Sequence, residues 1–281
     1  MMELVGVDIG GSNLKAGKIV NGKIEKKSMK SVSKNATYNQ VLNDLFACID
    51  EVITPNTKRI GIGVPSIVDI SKGIAYDVQN IPAWKLVPLK ELIEERYGIL
   101  VYLNNDANCF ALGEKIYGKG LPYKNFVGLS LGTGIGMGII INDSLYSGVL
   151  CGAGEIGMVS YKESIIENYA SSFFFIRKYG LHPIEVFERA EKGEAKSIIA
   201  FQDFGFHLAE AIKTILYLYA PEAILIGGSI SKAYKYFQES LQTNLKSFPY
   251  KKQIENLKIE VSTNQGSPIL GAAALCLQEK N

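Results

Sequence analysis

LVGVDIGGSNLKAG, residues 4–17, is an apolar run that carries one carboxylate, Asp8, into a turn with two adjacent glycines, Gly10 and Gly11. A second stretch, FVGLSLGTGIGMG at 126–138, superimposes on it without a gap at an offset of 122 positions. Val5, Gly6, Val7, Ile9 and Gly10 fall on Val127, Gly128, Leu129, Leu131 and Gly132. The same device, strand then glycine turn then strand, is written twice, with the carboxylate in one copy only. Strands are predicted at 4–8, 14–20 and 23–29, and Asn21-Gly22 between the last two is a type I′ hairpin signal. From residue 126 the pattern restarts as strand, glycine loop, strand, a turn at Asn142-Asp143, and strand.

The rest of the chain alternates between the two periodicities. Apolar spacing predicts helices at 37–53, ended by Pro55, and at 88–98, with Gly98 just past the end. RIGIGVPSIVD and ILVYLNND read as buried strands, and ANCFALGEKIYG opens a helix after the second. Helical segments are expected at roughly 164–180, 184–192 and 195–219. AILIGGSISKAY reads as a strand, a glycine turn and a helix start. KIEVST is a late strand and SPILGAAALCLQE a small-residue helix. Alternation throughout indicates α/β architecture. The two hairpin starts indicate two similar halves rather than a solenoid. The expected division is 1–115 and 116–266, with the last helix, about 267–281, packing back on the first half.

Gly10 and Gly11 permit close backbone approach, and their amides with the Ser12 hydroxyl can hold phosphate oxygens. Gly132, Thr133 and Gly134 offer the same set. Two such loops facing across a cleft would clamp a polyphosphate, and Asp8 beside it would orient a hydrated Mg²⁺. Neither loop has the dinucleotide GxGxxG context or the Walker lysine, because hairpins follow both. A third glycine turn, Gly227-Gly228-Ser229, precedes a helix start that can take a phosphate or the edge of a nucleoside.

Composition sets the class. The 281 residues are 47% apolar and 21% charged, ordinary for a globular protein. A net charge of +2, from 30 basic and 28 acidic side chains, gives no reason to expect a nucleic-acid or membrane partner. No basic and apolar leader precedes Val5 and no uncharged run suits a bilayer, so a cytoplasmic protein is expected. Cys48, Cys109, Cys151 and Cys276 form no CxxC pair and read as buried thiols. His182 and His207 stand apart from the glycine loops and read as structural or surface residues.

Taken together these stretches resemble the ROK family (repressors, open reading frames and sugar kinases) of the actin-like ATPase superfamily. GVDIGGSNLKAG is similar to the family's first phosphate loop, with Lys15 included in it, and LSLGTGIGMGIIIND to the second. GIGVPSIVD and QNIPAWKLVPLKELIEERYGILVYLNNDANCFALGE follow the sugar-kinase pattern. GAGEIG and ENYAS match family signatures, and ILIGGSIS the adenosine-side turn. The resemblance implies two actin-like, ribonuclease H-like domains with the active site in the cleft between them. It implies ATP- and Mg²⁺-dependent phosphorylation of a hexose at its 6-hydroxyl, and a homodimer. Asp106 matches the catalytic base; the residue also begins a predicted helix, where it would serve as an N-cap. Asn80 and Asn105 match sugar-hydroxyl contacts. Glu155 and Glu167 match carboxylates that hold the hydroxyls near the anomeric end, Glu167 standing on a predicted helix. Trp84 reads as core rather than as a wall of the cleft. Family repressors carry an N-terminal DNA-binding domain, for which no room is expected before Val5.

Two departures bear on substrate. Many family kinases have a cysteine-rich zinc loop after GAGEIG; here the segment is MVSYKESIIENYAS, and no structural zinc is expected. Those kinases read EIGH where this chain has Met158, whose thioether cannot donate a hydrogen bond. Glucose is the first expectation and an N-acetylhexosamine, N-acetylglucosamine or N-acetylmannosamine, the second. A non-catalytic sugar sensor, polyphosphate as donor, and a filament-type ATPase are the remaining alternatives.

Overall fold

A computed structural model describes residues 2–10, 12–33, 35–264 and 266–278. The chain divides into two compact units, Met1–Pro122 with Gly138–Ala153 and Thr263–Asn281, and Tyr123–Met137 with Gly154–Ser262.

In the first, β1 (Glu3–Ile9), β2 (Asn13–Val20) and β3 (Lys23–Ser31) form an antiparallel meander. Asn21 and Gly22 have φ of 52° and 75°, the two positive values that a type I′ turn requires. Helix α1 (Tyr38–Asp50) then leads to β4 (Thr57–Val64). The short strands β5 (Ile67–Asp69), β6 (Ile74–Tyr76) and β7 (Leu86–Val87) follow as a separate three-stranded sheet. Helix α2 (Leu89–Tyr97), β8 (Leu100–Asn105) and α3 (Asp106–Tyr117) complete the run. The main sheet has the order β3-β2-β1-β4-β8, with β4 parallel to both β1 and β8. β1 is buried on both faces, which is why its sequence is a continuous apolar run. The lysine-rich β3 is largely exposed and guards the sheet edge.

Helix α1 is shorter than its spacing predicts. Thr37 caps its start in a capping box with Gln40, and the helix ends at Asp50, with Val52 N and Ile53 N both donating to Ile49 O beyond it. Trp84 is fully buried, its indole N–H 3.3 Å from Tyr38 O.

The second half repeats the plan. β9 (Phe126–Leu131), β10 (Ile135–Ile141) and β11 (Ser144–Leu145) begin it. The hairpin β12 (Ser160–Tyr161) and β13 (Ser164–Ile165) precedes α4 (Ser172–Tyr179), α5 (Pro183–Glu191) and α6 (Ala195–Tyr219). β14 (Ala223–Gly227), α7 (Tyr234–Leu245), α8 (Lys251–Asn256), β15 (Lys258–Val261) and α9 (Ser267–Ala274) follow. The sheet order is β11-β10-β9-β14-β15, position for position that of the first sheet. The expected helix over 164–180 is not formed as such. β13 ends at Ile165, a 3₁₀ turn covers Ile166–Asn168, and α4 starts only after Ser171, whose hydroxyl accepts from Phe173 N.

Helix α9 belongs to the first unit and lies on β1 and β4. A Cβ on Gly6 would overlap Ile269 O and one on Gly61 would overlap Ala272 O, so both strands are bare where the helix backbone crosses them. The same helix meets α3 through Gly271, where a Cβ would overlap Cys109 O.

Candidate functional site

In the first unit the candidate residues collect at the C-terminal ends of the parallel strands. Asp8 is buried and pairs across the ladder with Lys15, whose Nζ lies 3.2 Å from Asp8 Oδ2. Lys15 is therefore the counter-ion of Asp8. Gly10 N donates to Asn13 O at 2.9 Å and closes the turn, while Ser12 stands exposed on it. Gly11 lies outside the described residues. On its other side Asp8 is level with Gly63 of β4, which is level with Asn104 of β8. Asp8 and Asn104 thus stand two strand spacings apart, about 10 Å, with Asp106 two residues further on.

The start of α3 is held by a polar cluster. Buried Asn104 accepts from Asn105 N at 2.8 Å and from Asn108 Nδ2 at 2.9 Å, and donates to Ser147 Oγ at 3.0 Å. The N-cap is Asn105, not Asp106. Asn105 Oδ1 accepts from Ala107 N at 2.9 Å and from Asn108 N at 3.4 Å. Asp106 is the first helical residue, and its Oδ1 accepts from Ala107 N at 2.9 Å. Asn105 Nδ2 donates to Ser66 O at 3.3 Å. Asn80 is exposed with a left-handed φ of 62°, in a loop anchored where Gln79 N donates to Pro65 O at 3.0 Å. Asn80 and Asn105 so converge on the same Pro65-Ser66 turn. Beside it β5 packs against a turn, Val149–Cys151, in which Leu150 (φ 53°, ψ 31°) and Cys151 (φ 58°) are both left-handed. Two such residues in succession store strain of the kind found at ligand-binding positions. Burial pushes the Cys151 thiol up to about 11.

In the second unit the glycine loop is pinned from one side by the ENYASS segment. Ser172 donates to Gly132 O twice, from N at 3.0 Å and from Oγ at 2.6 Å, and Gly132 N donates to Gly134 O at 3.0 Å. Thr133 is exposed at the tip. Glu167, on the 3₁₀ turn, accepts from Ile135 N at 3.2 Å through Oε2. A Cβ on Gly134 would overlap that same oxygen. Glu155 is exposed as a residue, yet its carboxyl is pushed above the usual range, first by the protein packed around it and then by the charge of Glu167. Met158 ends the short turn after Glu155 and is half exposed.

The third glycine turn stands next to this loop. Gly227 pairs with Ser130 across β14 and β9, and a Cβ on Gly132 would reach Ser229 Oγ at 3.9 Å. Gly228 has φ of 83°. The segment after it is a 3₁₀ turn, Ser229–Ala233, and not the first turn of an α-helix. Next to the turn lies a cavity of about 360 Å³ lined by Ser172, Pro183, Ile184, Phe187, Ser229 and Ile230. The contribution of α5 to this cavity is not signalled by any motif. Only Ile184, an exposed apolar residue at the first turn of an amphipathic helix, hints at it.

For Mg²⁺ the donor set fits. Among the described residues no three metal-binding side chains cluster, and a single carboxylate beside a phosphate loop suits an ion that keeps its waters and binds chiefly to phosphate.

The chain is similar along most of its length to known proteins. The "Beta-glucoside kinase" of Listeria monocytogenes is 30% identical over 100% of this chain and 99% of its own length. The "Glucokinase" of Halalkalibacterium halodurans is 26% identical over 99% and 96%. The "Xylose repressor" of Caldicellulosiruptor bescii is 27% identical, over 85% of this chain and 69% of the repressor. Among solved structures, a putative N-acetylmannosamine kinase from Listeria monocytogenes gives a TM-score of 0.85 at 27% identity, covering 100% of both chains. The ROK family glucokinase of Streptomyces griseus in complex with glucose and AMPPNP gives 0.84 at 24% identity, covering 97% of this chain and 98% of that one. The fold is that of the actin-like ATPases. The model of the ROK family matches residues 4–279, and the chain belongs to that family.

Proposed function

We propose that the protein is an ATP-dependent hexose kinase that phosphorylates the 6-hydroxyl of a hexose, with glucose the first substrate. The observation that supports this most is the division of labour at the start of α3. Asn105 caps the helix and Asp106 follows it as the first helical residue, two positions on from Asn104, which stands about 10 Å from Asp8 across the sheet. In this reading Asp106 accepts the proton of the sugar hydroxyl as that oxygen attacks the γ-phosphorus. Gly10, Gly11 and Ser12 in one loop, and Gly132, Thr133 and Gly134 in the other, hold the phosphates by backbone amides and hydroxyls. Asp8, kept in place by Lys15, orients waters around Mg²⁺, which when bound supplies charge neutralisation on the phosphates. Gly227, Gly228 and the 360 Å³ cavity take the nucleoside. Asn80, Asn105, Glu155 and Glu167 hold the sugar.

Kinase relatives along the whole length of the chain support the class of reaction. They do not agree on the sugar, and Met158 removes a hydrogen-bonding side chain from the pocket. An N-acetylhexosamine kinase is the nearest alternative. The repressor relatives favour a second class, a sugar-binding regulator without turnover.

A coupled ADP-release assay across glucose, mannose, fructose and the N-acetylhexosamines, with ATP or polyphosphate, tests this. Wild type turns over at least one sugar, and Asp106→Asn lowers kcat by about 10²–10⁴-fold with little change in KM. Sugar binding seen by calorimetry with no turnover on any sugar establishes the regulator instead.

A further inference from the structure

The second glycine loop and the ENYASS segment form one mechanical unit. Glu167 Oε2 takes Ile135 N, the first backbone donor after Gly134, at 3.2 Å. Five residues on, Ser172 grips Gly132 O with both its amide and its hydroxyl. Ser171 Oγ donates to Glu167 O at 2.7 Å and so ties together the stretch between the two grips. The Glu167 carboxylate fills the space where a Cβ on Gly134 would lie.

An anion-binding loop that already holds an anion is in competition with its ligand. The carboxylate uses one of the few donors the loop presents and adds a full negative charge where phosphate oxygens would lie. Sugar hydroxyls donate as the amide does, and several of them can take its place on the carboxylate at once.

We propose that Glu167 is a positioning residue that couples the two substrates. Without sugar it holds Ile135 N and keeps the second glycine loop unfavourable for a triphosphate. When sugar hydroxyls engage the carboxylate it leaves the loop, and the freed amide and the reduced charge favour the nucleotide. Hexose then binds first, and the enzyme avoids hydrolysing ATP when no acceptor is present. This rests on the hexose-kinase reading above, in which Glu167 meets the sugar. By linkage the nucleotide raises sugar affinity by the same factor.

The test measures binding of AMPPNP with Mg²⁺ by calorimetry, without sugar and with each sugar of the panel at saturation. In wild type, the sugar that turns over tightens AMPPNP by roughly 5-fold or more, within the usual range of coupling between sites. Glu167→Ala frees Ile135 N and removes the charge. It is expected to bind AMPPNP without sugar nearly as tightly as wild type does with it, and to lose the sugar effect to within about 2-fold. Its sugar-free ATP hydrolysis rises. Equal AMPPNP affinity with and without sugar in wild type overturns the proposal, whatever the variant does. So does a variant that retains the wild-type coupling. If sugar phosphorylation proceeds in either case, only the coupling role falls; if wild type binds no nucleotide and phosphorylates no sugar, the kinase reading falls with it.

Discussion

Asn104, Asn105 and Asp106 stand in a row at the end of β8, and each does something different. Asn104 is buried and braces the turn, Asn105 caps α3, and Asp106 is the first residue inside the helix. The sequence does not separate the last two. Asn and Asp are nearly equal as N-caps, and a helix start read from pattern is uncertain by a residue or two. In the structure the cap and the carboxylate are different residues. The consequence is measurable. Asn105→Ala removes the acceptor for two helix amides and is expected to cost about 0.5–2 kcal/mol of stability. Asp106→Asn, which takes away no cap, costs under about 1 kcal/mol. Urea unfolding of both variants beside wild type separates these roles, and equal losses would remove the distinction.

At the scale of elements, the strands of the two hairpins were legible because their apolar runs and turn residues agree. The pieces that escaped are the ones with too little pattern. Strands β5, β6 and β7 are two or three residues long. The helix expected from about 164 does not begin there: Lys162, at φ 51°, turns a hairpin that ends at Ile165, and a 3₁₀ turn follows. Its side chains explain the outcome. Tyr161 and Tyr169 meet edge to face, with ring centroids 5.1 Å apart, and Lys162 Nζ lies over both rings. Such tertiary packing has no signature in local spacing. The packing of the last helix on the first half was expected, but not that α3 would be the element it meets through Gly271. Gly271→Ala places a methyl against Cys109 O, where only backbone can give way. The expected loss is about 1–3 kcal/mol or more, read as a lower urea midpoint, and a neutral result would mean that the two helices separate freely.

Across the whole molecule, the α/β class and the doubling were readable, and the shared strand order of the two sheets agrees with them. No described helix is long and apolar enough to cross a membrane, and the four cysteines are buried and unbridged. His207 gives the molecule a handle on pH that the sequence did not suggest. It is buried, its Nδ1 lies 3.1 Å from the Tyr161 hydroxyl, and burial, aided by Lys162 and Lys178, pushes it down to about 4. Between that value and the ordinary 6.5 the unfolded chain binds the proton and the folded one refuses it, so stability rises with pH across this window. Lowering the pH from 7 to 4 is expected to remove up to about 3 kcal/mol through this group alone. In His207→Gln that share of the slope disappears, so the advantage of wild type shrinks as the solution is acidified. Denaturant titrations at several pH values check it, and parallel slopes for the two proteins would rule it out.

The placement of α9 also bears on how the polypeptide is made. Ser267 Oγ donates to buried Glu114, a partner 153 positions earlier, and the helix behind it covers the bare glycines of β1 and β4. A ribosome delivers those strands first and their cover last. The unit that emerges earliest is the later one to be finished, since its sheet has no cover until α9 is made.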